Sequence, residues 1–115
     1  MKTIIAGGRT VTDDALITAA VDACPWSISE IVSGAAKGVD QLGEDWAEQN
    51  EIPVKRFPAN WKEHGRAAGP IRNREMAEYA EALIAIWDGQ SKGTGNMIKT
   101  AEKLGLEVSV YRIES

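Results

Sequence analysis

Thr3-Ile4-Ile5-Ala6-Gly7-Gly8 is the stretch on which the fold turns. A short apolar run without polar alternation reads as a strand buried on both faces, and the glycine pair that ends it reads as a tight loop. Working outward, Thr12-Asp13-Asp14 offers capping oxygens to a helix over residues 15–21, whose apolar spacing fits a period of 3.6, and Pro25 closes it. The same succession returns at Glu30-Ile31-Val32-Ser33, then Gly34-Ala35-Ala36-Lys37-Gly38. A helix from about Val39 to Asn50 follows, with Val39, Leu42, Trp46 and Ala47 on one face.

Residues 52–57 alternate as a peripheral strand does, and Pro53 near their start suits a sheet edge. Residues 58–69 read as a long connection. Pro70, in a first helical turn where its missing N–H costs nothing, opens a helix over residues 71–79. Residues 83–87 form a fourth strand, residues 88–95 a polar glycine-rich loop, residues 96–104 a helix ended by Gly105, and residues 108–111 a fifth strand. Strands alternating with helices predict an α/β fold: a Rossmann-like three-layer α/β/α domain over residues 1–115 around a five-stranded parallel sheet of order 3-2-1-4-5. Ligands of such sheets sit beyond the carboxyl ends of the strands, near the switch point in strand order. The glycines gather there: Gly7, Gly8, Gly34, Gly38, Gly65, Gly69, Gly89, Gly93 and Gly95.

Composition narrows the partners. Thirteen basic against seventeen acidic side chains leave a net charge of −4, which disfavours general binding to nucleic acid or anionic membranes yet permits a local anion site. Cys24 is the one cysteine and His64 the one histidine, so neither an internal disulfide nor a thiolate or histidine metal cluster is available. No metal and no cofactor is expected. The apolar run at the start breaks at Gly7-Gly8, too short for a signal peptide or a membrane span, and a cytoplasmic location is expected.

Four segments carry possible chemistry. Gly7-Gly8-Arg9 brings backbone N–H groups and a guanidinium to the end of the first strand; the plainer reading is a tight turn with a surface arginine. It is not a dinucleotide fingerprint, because Ser33 stands where an acidic residue would close the second strand. Ser33, Gly34, Lys37, Gly38 and Asp40 form a loop like a phosphate loop without its Gly-Lys-Ser/Thr ending, so a Walker ATPase is not expected; Asp40 reads equally as a ligand contact or a helix-start carboxylate. In the segment 64–76, Arg66, Arg72 and Arg74 accompany two glycines and a helix start. Arg72 and Arg74, two positions apart on a helix, cannot face one ligand, and Arg72 with Asn73 and Met76 is the preferred inward set. Ser91, Gly93 and Thr94 form an anion nest before the last helix, and Trp61 and Trp87 flank these loops as platforms for a base or as core packing.

Together Gly7-Gly8-Arg9, the SGAAKGVD segment with Trp46-Ala47, FPANW, AAGPIRNREM and SKGTGNM resemble the YspA/YpsA-related branch of the SLOG superfamily. These Rossmann-like domains include LOG-type phosphoribohydrolases and the DNA-uptake protein DprA. The resemblance implies a nucleotide-like ligand between the RNREM helix and the SKGTGNM loop. LOG-type enzymes use an arginine of that helix, matched by Arg72 or Arg74, and a glutamate three residues beyond the loop threonine, where this chain has Met97. Methionine can neither activate water nor stabilise an oxocarbenium ion. Binding or sensing of a nucleotide-like phosphorylated small molecule is therefore the first reading. The second is an N-glycosidic hydrolase of a nucleoside 5′-phosphate with Glu75 or Asp88 as carboxylate, Asp40 being a further one available. Single-stranded nucleic-acid binding ranks third, and would gain if Lys37, Arg66, Arg72 and Arg74 shared one surface. Relatives of this kind often form dimers, and the apolar positions of helix 71–79 serve either a partner or the core.

Overall fold

A computed structural model describes residues 1–114. The chain runs β1 (Lys2–Gly7), α1 (Ala15–Ala23), β2 (Glu30–Ser33), α2 (Val39–Gln49), β3 (Val54–Arg56), α3 (Trp61–His64), a 3₁₀ turn (Gly65–Ala67), α4 (Ala68–Tyr79), β4 (Ala82–Trp87), α5 (Lys92–Lys103) and β5 (Glu107–Arg112). All strand pairs are parallel and the order is β3-β2-β1-β4-β5, as the sequence predicts.

Strand periodicity distributes the core. Ile4 and Ala6 of β1 with Leu83 and Ala85 of β4 face α4 and α5, where Met76, Ala77, Met97, Ile98 and Ala101 meet them. Ile5 with Ile84 and Ile86 faces α1 and α2, meeting Ile17, Ala20, Val39 and Ala47. Because successive strand residues point to opposite faces, an unbroken apolar run is what a strand covered on both faces requires. Each large side chain taken fully out of water contributes roughly 1.5–3 kcal/mol, which makes β1 and β4 the framework of the domain. β3 lies at the edge, and all three of its residues are exposed.

Most boundaries shift by one or two residues from the sequence reading, β3 being Val54–Arg56 with Pro53 just before it, and three differences are larger. The connection after β3 contains α3, capped by Asn60, whose Oδ1 accepts from the Glu63 N–H at 3.1 Å while its Nδ2 donates to the Glu63 carboxylate at 3.0 Å. α4 begins at Ala68, so Pro70 lies inside its first turn. α5 begins at Lys92 instead of Asn96, which places Gly93 and Thr94 in the helix. Among the described residues no helix is long and apolar enough to cross a membrane.

Candidate functional site

β1 and β4 are the neighbours between which strand order reverses, and the chain leaves their carboxyl ends toward opposite faces of the sheet. A cleft of about 660 Å³ opens there. The β1 loop supplies Gly7, Gly8 and Arg9, the β2 loop Ala36, α2 Asp40, and the segment between β3 and β4 Trp61, Arg66, Arg72, Asn73 and Met76. Ser91, Lys92, Gly93, Thr94, Asn96 and Met97 close the far side. Four cations and one carboxylate thus line a cleft in a chain whose overall charge is −4.

The α5 wall is built to leave donors open. Asp88 accepts from the Gln90 and Ser91 N–H groups, both at 2.8 Å, and from Ser91 Oγ at 3.2 Å, while Trp87 Nε1 donates to the Ser91 carbonyl at 3.0 Å. The serine at the N-cap is therefore turned to Asp88 and makes no cap of its own. The leading N–H groups of a helix have no partner within it, and here they adjoin the cleft together with the positive end of the helix dipole. Gly95 lies against Trp87, where a Cβ would make ordinary contact with the indole at 3.4 Å. The bonds from the Ser91 and Gln90 backbone N–H groups hold the Asp88 carboxyl below its ordinary value.

Across the cleft, α4 projects Arg72 and Asn73 inward. Arg72 Nε donates to Asn73 Oδ1 at 3.1 Å and Nη1 donates to the Gly34 carbonyl, leaving the rest of its five donors unassigned. Asn73 Nδ2 donates to Asn96 Oδ1 at 2.9 Å and to the Gly93 carbonyl at 3.3 Å, tying α4 to the start of α5. Asn73, 6% exposed, is a latch between the two helices. Burial lowers the Arg72 guanidinium from its ordinary value, Asp40 opposing that shift and Arg9 adding to it. At the mouth the Arg9 guanidinium lies 5.6 Å from the ring centre of Trp61, which remains half exposed.

The β2 loop behaves differently. Ser33 is 1% exposed; its hydroxyl donates to Glu44 at 2.5 Å and accepts from the Ala35 N–H at 3.1 Å, and Glu44 in turn meets Arg56 at 3.3 Å. Gly34 packs where a Cβ would stand 2.5 Å from Arg72 Nη1 and 2.7 Å from Asp40 Oδ2. Gly38, at φ +76°, lies against the backbone of Gly8 and Arg9, where a Cβ would come within 2.2 Å of the Gly8 carbonyl. Lys37 is exposed and outside the cleft lining. Asp40 reaches the cleft with Oδ2 accepting from the Ala36 N–H at 3.2 Å; burial pushes its carboxyl up, against the Ala36 bond and the Arg72 charge.

Of the residues named from sequence, the structure brings Gly7, Gly8, Arg9, Asp40, Arg72, Asn73, Ser91, Gly93 and Thr94 to one cleft. It does not bring Ser33, Gly34, Lys37 or Gly38 to the lining, nor the carboxylates Glu75, exposed on α4, and Asp88, held in its loop. Arg74 points the other way from Arg72 and pairs with Glu78 at 3.6 Å, so these two arginines do not share a surface. The apolar positions Met76 and Ala77 of α4 enter the core, while Ile71 stays exposed. Met97 is 1% exposed, a core residue whose edge reaches the cleft floor. Lys92 and Asn96 line the cleft without having been singled out; their signal was position, directly before and after the glycine-threonine run that starts the helix.

Residues 1–64 match the profile of the YspA, cpYpsA-related SLOG family. The chain is 33% identical over 84 residues to the Gene 61 protein of Mycobacterium phage D29, a stretch covering 68% of this chain and 67% of that one. The X-ray structure of DNA processing protein A (DprA) from Streptococcus pneumoniae superposes with a TM-score of 0.75 at 18% identity over 95% of this chain. This chain spans about half of that one, 49%, and the likeness is one of fold.

Proposed function

The chain belongs to the YspA, cpYpsA-related SLOG family, and on that premise we propose that its cleft binds a phosphorylated small molecule of nucleotide type, as a binding or sensing domain. The observation that carries this reading is the reversal of charge: Arg9, Arg66, Arg72 and Lys92 converge with the start of α5 in a chain that is acidic overall. Low-dielectric walls focus such a field, and helix N–H groups with a guanidinium fork suit the tetrahedral oxygens of phosphate. The exposed half of Trp61 offers a face on which a base stacks.

Binding is favoured over hydrolysis because Glu75 and Asp88 are both off the cleft and Met97 is committed to the core, which leaves Asp40 as the single carboxylate of the lining, without the glutamate that the related hydrolases place after the loop threonine. The test is a thermal-shift panel of inorganic phosphate, ribose 5-phosphate, nucleoside 5′-monophosphates, ADP-ribose and a single-stranded DNA oligonucleotide, with free base followed by chromatography. A small phosphorylated compound at a hundredfold its Kd stabilises the fold by about 2.7 kcal/mol, and Arg72→Ala abolishes that gain. Base release that disappears in Glu75→Gln or Asp88→Asn replaces binding by catalysis. Stabilisation by the oligonucleotide alone moves the reading to nucleic acid. No shift with any compound, and an Arg72→Ala variant indistinguishable from the parent, overturns the anion site.

A further inference from the structure

A carboxylate has no evident place in a phosphate cleft, since it repels the anion that the surrounding cations attract. Asp40 is nevertheless there, 7% exposed and lining the wall beside Arg72. Its attachment to the protein is partial. Oδ2 accepts from the Ala36 N–H, while Oδ1 takes no hydrogen bond among the described residues. No described side-chain nitrogen or oxygen is sealed from solvent without a partner, so Oδ1 keeps some access to solvent, and Asp40 is one of the residues that line the cleft. An unpaired oxygen on a largely buried carboxylate in the wall of a cleft is an acceptor that calls for a donor. No described group bonds to it: Arg72 lies close enough for its charge to act on Asp40, but its bonds go to Gly34 and Asn73, and Arg9 lies over Trp61.

We propose that Asp40 selects the sugar of the ligand, its Oδ1 accepting from the vicinal diol of a ribose whose phosphate lies among the cations. The inference rests on the phosphate reading of the cleft and deepens it: the ligand class becomes ribose phosphates, in preference to 2-deoxyribose phosphates and to bare anions. A site that hydrogen-bonds a hydroxyl rejects the analogue without it, because the buried acceptor is then left unpaired next to an anion. Burial raises the carboxyl away from its ordinary value, the mark of a group kept at some cost to the fold.

Calorimetric titration of the whole chain and of Asp40→Asn with ribose 5-phosphate, 2-deoxyribose 5-phosphate and inorganic phosphate tests this. The parent binds ribose 5-phosphate roughly tenfold or more tightly than the deoxy sugar phosphate, the scale of a hydrogen bond to a charged group. Asp40→Asn brings that ratio toward one and binds inorganic phosphate at least as well as the parent. If the parent binds phosphate but treats the two sugars alike, the role of Asp40 is overturned and the phosphate cleft stands. If Asp40→Asn weakens all three probes by one factor, Asp40 only positions Arg72 and the proposal is equally overturned. If none of the probes binds the parent, the reading of the cleft fails and the sugar selectivity with it.

Discussion

Two glycine-rich loops look alike on paper: Ser33-Gly34-Ala35-Ala36-Lys37-Gly38 after β2 and Asp88-Gly89-Gln90-Ser91-Lys92-Gly93 after β4. Each follows an apolar strand, each contains serine and lysine, and each leads into a helix. In the first, the polar groups are already partnered within the protein: Ser33 by Glu44, the Gly34 carbonyl by Arg72, and Gly38 packed on Gly8. In the second, Asp88 gathers the loop behind the helix and leaves the start of α5 facing the cleft. A glycine loop is therefore a scaffold or a receptor according to whether its donors are occupied, and composition does not distinguish the two.

The largest expected effect breaks the scaffold. Gly38→Ala forces a Cβ against backbone at a positive φ and costs about 3 kcal/mol or more, read as a lowered urea midpoint. Next comes the receptor: Arg72→Ala weakens phosphate or ribose 5-phosphate binding roughly ten- to hundredfold in calorimetry, whereas Lys37→Ala, on the exposed face of the first loop, leaves it unchanged. Ser33→Ala then costs about 1–2 kcal/mol of stability by stranding the Ala35 N–H and Glu44, with phosphate affinity at the parent's value. Gly93→Ala has the opposite sign to Gly38→Ala. Nothing lies within 4 Å of the added Cβ and the residue is helical, so stability rises by about 0.5–1 kcal/mol.

The smallest effect is a difference in pH dependence. The Asp40 carboxyl lies above its ordinary 3.8 in the fold, so its contribution is fully present below that value and is lost as pH rises through the folded pKa. The Asp88 carboxyl lies below 3.8, so its contribution is present above that value and is lost as pH falls through the folded pKa. Urea unfolding across the acid range separates them: Asp40→Asn gains stability toward neutral pH, while Asp88→Asn loses it there and flattens the acid limb. Equal slopes for the two variants would erase the contrast between the loops.

Where burial dictated residue type, the sequence was readable. Ile4-Ile5 and Leu83-Ile84-Ala85-Ile86 are apolar on consecutive positions because both faces of β1 and β4 are covered, and parallel pairing with helices on both faces followed from the alternation. Gly93, Thr94 and Gly95 are poor helix formers and hide the start of α5; burial of Thr94 together with Met97, Ile98 and Ala101 on one face of the helix overrides that preference. α3 was hidden by its brevity, although Asn60 and Glu63 spell a capping pair. In the cleft, helical geometry shows that Arg72 and Arg74 cannot share one side; that Arg72 is the one in the lining comes from the packing of α4. Ser33 bonds Glu44 on α2, which in turn meets Arg56 on β3, and a contact between separate elements leaves no local pattern to read.

The reversal of strand order between β1 and β4 has a mechanical consequence. Residues before β3's end and residues after α3 form two lengths of chain stitched edge to edge along Thr3–Gly7 and Ala82–Ile86. The cleft sits at the top of that seam, with Gly8, Arg9 and Asp40 on one length and Arg72, Asn73 and Thr94 on the other. Whatever fills it acts as a removable cross-link. Its arrival slows hydrogen exchange of the amides along the seam, while those of edge strand β3, which a seam clamp does not hold, keep their rates.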